Sequence, residues 1–308
     1  MRNRRIGIAV ALTAVAASVL SACSSSGSSP SGGDKGTSGV SVHADAAARN
    51  LLPAAVKSSG KLTVATDASY PPFEFYASDN KTLEGADIEL AKAIGSELGI
   101  TMDLQNASFD GIVTGIAAGK YDLAMSGMAD RLDREKQVSF VDYAANGDAF
   151  LVLTPDKATY PTWASLCGLN VAVQSGTTMV SDVQAQSAKC TSSGKKGITA
   201  SDYQTQNQGV LALTSGRSKV LISTGGSAAY IASQSNGQFA SLTPSDNPPG
   251  TTGKLGIALG KDQTQLAKAL QAAVSQLITD GSYQKIMTKW GLTQCCTVTQ
   301  PSINGAVS

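Results

Sequence analysis

Histidine is almost missing from this 308-residue chain, with His43 the single copy. His43 lies in a Gly/Ser-rich region, so the part able to build a core has none. That excludes Ser-His-Asp and Cys-His catalysis there, along with any histidine-rich metal site. Charge is scarce as well. Only 15% of residues are charged, against the usual quarter, so Ser, Thr, Gln and Gly must cover much of the surface. Without the three arginines of the first five residues, 21 basic residues face 23 acidic ones. Nothing in that balance favours nucleic acid or an anionic membrane face as partner. Long hydrophobic runs are absent too, since the apolar stretch 6–20 is too short to span a bilayer comfortably. A phosphate-cradling loop also fails. The stretch GIAAGKY (115–121) would need Gly at 114 and Ser or Thr at 121, where the chain has Thr114 and Tyr121.

What is present begins at the N-terminus. Arg2, Arg4 and Arg5, the short apolar run and small residues make a secretory signal, expected over 1–22. Leu20-Ser21-Ala22-Cys23 has the form of a bacterial lipobox, which implies cleavage before Cys23 and lipidation of its thiol. The two acyl chains of a diacylglyceryl group suffice for stable anchoring. The expected location is therefore the outer face of the cell membrane, held by lipid. A Gly/Ser/Pro tract follows, and 23–60 is expected to be a flexible tether. Four cysteines remain: Cys167, Cys190, Cys295 and Cys296. In an exported chain an even number suggests disulfides, and four allow three connectivities. Cys167–Cys190 is favoured because it closes a local loop around one strand and one helix. Cys295 and Cys296 are then a vicinal bridge or free thiols.

From Lys61 onward short β-rich runs alternate with helical ones. LTVAT (62–66), LAMS (123–126), NVAVQ (170–174), KVLIST (219–224) and KLGIALG (254–260) read as strands. DIELAKAIGSEL (87–98), FDGIVTGIAAG (109–119) and TQLAKALQAAVSQLITDG (264–281) read as helices, the last closed by Asp280-Gly281. The fold class is α/β, with parallel sheets covered on both faces. Ligands of such sheets bind beyond the carboxyl ends of strands. The loops after Thr66, Ser126, Gln174 and Ser223 are the places to look.

One of those loops runs into a charge cluster, AMSGMADRLDREKQVSF (124–140), with Arg134 at its centre. On its own this stretch reads as a helix start with a solvated charged face. In context it carries a resemblance. TDASYPPFEF (66–75), GADIELAKAIGSEL (85–98), FDGIVTGIAAGKYDLAMSGM (109–128), VAVQSGTT (171–178) and DGSYQKIMTKWG (280–291) together resemble the bacterial extracellular solute-binding proteins, family 3, in their polar amino-acid branch. The resemblance implies a two-lobed periplasmic-binding-protein fold of type II, with two hinge strands and the ligand in the interlobe cleft. Lobe 1 would be 61–151 plus 253–291, lobe 2 would be 152–252, and 292–308 a C-terminal tail. The crossings would fall near 150–153 and 252–256.

The resemblance also implies a site. Arg134 would clamp a ligand carboxylate, which a planar guanidinium matches bidentately. Ser126, Gly127 and Ala129 would form the loop of small residues beside it. Gly176, Thr177 and Thr178 would add N–H groups and a hydroxyl from a helix N-terminus. Asp67 would reach the ligand side chain, and Tyr70 and Phe109 would sandwich its apolar stem. Gln206 and Asn207 are weaker candidates near the cleft. Departures are visible as well: Ala86 replaces a bulky apolar residue, Ala129 a hydroxyl residue, and Gln174 is unremarkable. The large departure is Thr224, which stands where the family has an Asp for the ligand's α-ammonium. A buried ammonium without an acid costs several kcal/mol. So the ligand lacks that group, carries a substituted nitrogen, or meets an acid elsewhere, Asp67 or another.

The resemblance thus implies a lipoprotein that captures an amino acid or related small carboxylate for an ABC importer. Permease and ATPase subunits would be its partners in trans, the chain would be a monomer, and no cofactor, metal or catalytic residue is implied. Two other functions fit the same fold, a cyclohexadienyl dehydratase-like enzyme and a ligand-sensing lipoprotein.

Overall fold

A computed structural model describes residues 42–247 and 252–306. The expected signal peptide, Cys23 and the Gly/Ser tract lie outside the described residues. Among those described, no helix is long and apolar enough to cross a membrane.

Two sheets are joined through one long strand, Val138–Leu153. Its first part, Val138 to Gly147, pairs antiparallel with Thr252–Gly260. Beyond that Lys61–Thr66 runs parallel to both Leu123–Ala124 and Thr101–Asn106. Its last part, from Asp148, pairs antiparallel with Val220–Thr224 and Phe239–Leu242. Asn170–Gln174 then runs parallel to Val220–Thr224 and Thr199–Tyr203. The strand therefore changes partners between Gly147 and Asp148, a few residues before the expected crossing at 150–153.

Both sheets are buried on two faces, which is why their strands read as continuous apolar runs. In lobe 2, Phe150, Val152, Val220 and Ile222 pack with Met179 and Val183 of helix Thr178–Ser192. The alternate residues Ala149, Leu151 and Leu221 pack with Leu213 and Ala228 on the other side. In lobe 1, helix Thr264–Thr279 buries Leu266, Leu270, Ala273, Val274 and Leu277, the three- and four-residue spacing of one helical face.

The tether expectation needs correcting at its end. Residues 46–59 are not free chain but two short helices, Ala46–Asn50 and Ala54–Ser59, docked on lobe 1. Leu52 is buried in the core, and Arg49 Nη1 donates to the Leu98 and Gly99 carbonyls at 3.0 and 2.5 Å. Those carbonyls end helix Ala86–Leu98 and lack partners within it, so a cation there is favourable. The C-terminal segment is docked too. Asn304 exchanges hydrogen bonds with the Phe140 backbone, and Asp142 N–H donates to the Ser302 carbonyl at 2.8 Å. Cys167 is bonded to Cys190, tying the turn after Trp163–Leu166 to helix Thr178–Ser192, and Cys295 to its neighbour Cys296.

Under the C-terminal segment lies an acid cluster. Burial, then Asp142 and Glu135, push the Asp130 carboxyl up to about 8. A folded-state value above the unfolded one gives stability that is complete below the ordinary carboxylate range and lost as pH rises towards 8. Asp130→Asn removes that titration. Its melting temperature relative to wild type is expected to be higher at pH 9 than at pH 5 by about 2–4 °C, equivalent to about 1 kcal/mol. Parallel melting curves across that range would contradict the assignment.

Candidate functional site

The cleft between the lobes is closed in this structure. Arg134 Nη2 donates to the Gly176 carbonyl at 2.9 Å, and Gln174 Nε2 to Asp67 Oδ2 at 3.0 Å. Tyr70 reaches from lobe 1 to Ser223 Oγ and Thr224 Oγ1, both at 3.0 Å, and accepts from Thr224 N–H at 2.9 Å. Ser227 Oγ donates to the Pro71 carbonyl, and Arg131 pairs with Asp182 at 3.3 Å. A small pocket of about 20 Å3 remains between the lobes. Its border is Tyr70, Phe109, Ser126, Gly127, Ala129 and Arg134 from lobe 1, with Gln174, Thr177, Thr178, Met179 and Thr224 from lobe 2.

Arg134 dominates the electrostatics. It belongs to the short helix Leu132–Glu135 and is 8% exposed. Besides Gly176, it donates through Nη1 to the Ala129 carbonyl at 2.9 Å, and its guanidinium lies 5.5 Å from the centre of the Phe109 ring. Burial lowers its pKa to about 10, which still leaves it charged at neutral pH. Among the described residues no carboxylate comes within 4.0 Å of it. The cleft therefore holds a desolvated cation with no carboxylate in contact, a costly arrangement. The opposite wall is the first turn of helix Thr178–Ser192, whose dipole also favours negative charge.

The small residues of the loop Ser126–Ala129 are fixed from behind. Gly127 adopts φ +48°, and a Cβ there would sit 3.2 Å from the Tyr70 ring. Its N–H donates to Asp87 Oδ2 at 2.7 Å, so that group is engaged within lobe 1. Ser126 Oγ donates to Glu74 Oε1 and accepts from Asp67 N–H. Gly176 does not border the cavity. It serves the close approach of the lobes, with φ +75° and a Cβ position only 2.6 Å from the Asp110 Cα.

Asp67 does not border the cavity either. Its Oδ2 accepts from Phe109 N–H and from Gln174, both at 3.0 Å, and burial raises its pKa. Gln206 stands one layer back, donating to Ser223 and Ser227, and Asn207 points away on the exposed side of its helix. Two further residues border the cavity, Met179, which carries no binding motif, and Gln174, unremarkable in the sequence. Both flank the GTT turn, and the only signal for them was their position at a strand end and a helix start.

Residues 62–293 match the family model described as bacterial extracellular solute-binding proteins, family 3. The arginine-binding protein ArgT of Corynebacterium glutamicum is 31% identical over 243 residues, covering 79% of this chain and 78% of that one. A solved ancestral arginine-binding protein bound to arginine aligns with a TM-score of 0.67 at 29% identity, covering 75% of this chain and 98% of its own. An ancestral amino acid-binding protein, precursor of cyclohexadienyl dehydratase, aligns with a TM-score of 0.68 at 28% identity, over 77% and 97% of the two chains. By sequence and by fold, the chain is a member of the bacterial extracellular solute-binding proteins, family 3.

Proposed function

We propose that this protein captures an amino acid in the closed cleft and delivers it to an ABC importer, acting as a monomer tethered by lipid at Cys23. The observation that carries the reading is the buried, carboxylate-free guanidinium of Arg134, which borders the interlobe pocket together with the first turn of helix Thr178–Ser192. An α-carboxylate satisfies both. Ser126, Ala129, Thr177 and Thr178 would surround that carboxylate, with Tyr70 and Phe109 along the rest of the ligand. Relatives named for arginine binding make arginine the first probe. Binding is preferred over enzymatic turnover because, among the described residues, no carboxylate or histidine borders the cavity to act as general base. The lipobox supports anchoring, which labelled-lipid incorporation at Cys23 tests.

The functional test is a thermal-shift screen of the mature protein against the twenty amino acids. A ligand at a hundred times its Kd stabilises the folded state by about 2.7 kcal/mol. At least one amino acid should raise the melting temperature in proportion to the logarithm of its concentration. No response to any of the twenty would overturn the reading.

A further inference from the structure

An amino acid brings an ammonium as well as a carboxylate, and among the described residues no acid borders the cavity. Four buried acids stand behind the lining: Asp67, Glu74, Asp87 and Asp148. Asp67 Oδ2 already takes two N–H donors. Glu74 lies behind Ser126 and accepts its hydroxyl, and Asp87 Oδ2 takes Gly127 N–H and the Tyr143 hydroxyl, all within lobe 1. Asp148 differs from the other three in its place. Its Oδ2, like Glu74 Oε2 and Asp87 Oδ1, has no hydrogen-bond partner, but Asp148 stands on the lobe 2 side of the partner change and is 2% exposed. It is the direct cross-strand partner of Thr224, which does border the cavity. Cross-strand partners carry their Cβ atoms about 4.5–5.5 Å apart on one face of the sheet. That face also carries the paired Phe150 and Ile222, and it meets the Met179 end of helix Thr178–Ser192.

We infer that Asp148 is the anionic partner of the ligand's amino group, set one cross-strand position behind the Thr224 hydroxyl. This rests on the amino-acid reading above. The Thr224 hydroxyl is itself engaged with Tyr70 and with Ser227 N–H. The charged groups facing Asp148 are Asp182, from helix Thr178–Ser192, and Arg131, from lobe 1. With the cleft empty, burial first and Asp182 second hold the Asp148 carboxyl well above the usual range, while Arg131 pulls it down. An arriving ammonium takes the place of that proton, which passes to solvent. Specificity for an amino group then lies in the register of two strands rather than in a residue bordering the cavity.

The test compares the amino acid found by the screen with its 2-hydroxy acid isostere, which keeps the carboxylate and replaces the ammonium by a neutral hydroxyl. Wild type should prefer the amino acid by at least about 30-fold, the lower bound for a truncated buried charge pair. In Asp148→Asn, an isosteric change, the preference should shrink to within threefold. Adding Thr224→Asp moves the acid forward by one strand and should restore it. An unchanged preference in Asp148→Asn overturns the inference while the amino-acid reading stands. So does an equal loss for both ligands, or a double variant without recovered preference. Failure of wild type to bind any amino acid sinks the reading itself, and this inference with it.

Discussion

Arg134→Ala is expected to abolish measurable ligand binding and leave the fold intact. Truncating one partner of a buried, hydrogen-bonded charge pair costs about 2–5 kcal/mol, or about 30- to several-thousand-fold in affinity. The empty protein should respond in the opposite sense. Arg134 is desolvated without a carboxylate partner, and it is held by only two backbone carbonyls, those of Ala129 and Gly176. Removing it relieves that cost, so the melting temperature without ligand should stay level or rise. Arg134→Lys keeps the charge but loses the fork, which two carboxylate oxygens require, and should fall between. Isothermal titration decides. Affinity within threefold of wild type in the alanine variant would end the carboxylate-clamp assignment.

The second large effect is on stability. Cys190 is 1% exposed and packs in the lobe 2 core with Trp163 and Leu166. The bond to Cys167 spans a sequence separation of 23. A loop of that size constrains the unfolded chain by about 3 kcal/mol. The double variant Cys167→Ala/Cys190→Ala should therefore melt about 6–12 °C lower, at about 2–4 °C per kcal/mol for a chain of this size. A melting temperature within 2 °C or so of wild type would show that the bond adds no net stability. Peptide mapping of exported protein under non-reducing conditions should recover the two residues joined.

Much of the fold was legible because both sheets are covered on two faces. Val220–Thr224 is buried at every position, and such strands announce themselves as apolar runs. The strand Val138–Leu153 was not legible as one unit. It carries Asp142, Gly147 and Asp148 in its middle because it changes partners there, so its pattern is neither continuous nor alternating. The helices within 46–59 were hidden for another reason. They are too short to show a periodic face, and what holds them is a remote contact, Arg49 on the end of Ala86–Leu98.

The candidate site divides the same way. Arg134 stands out by its spacing from a loop of small residues, a local relation. Gln174 does not, because its meaning comes from Asp67 across the cleft. Asp148 could not be placed at all, since only the sheet register sets it opposite Thr224. Acids that matter through a neighbour on another strand leave no trace in linear order.

The lobes differ in how the chain completes them. Residues 148–242 carry every strand of lobe 2 beyond the partner change, together with the Cys167–Cys190 bond, in one unbroken stretch. Lobe 1 is split around it. Strand Thr252–Gly260 lies between Val138–Leu153 and Leu123–Ala124 in its sheet, and helix Thr264–Thr279 supplies much of its core. A chain that emerges N-terminus first can assemble lobe 2 while lobe 1 still lacks strand Thr252–Gly260. The lobe that begins first is thus the one that can be completed only last. The loop that must close for lobe 1 is the whole of lobe 2, and a compact lobe 2 brings the ends of that loop together. The later-folding half therefore meets a far smaller entropic barrier than its sequence separation would impose on an open chain.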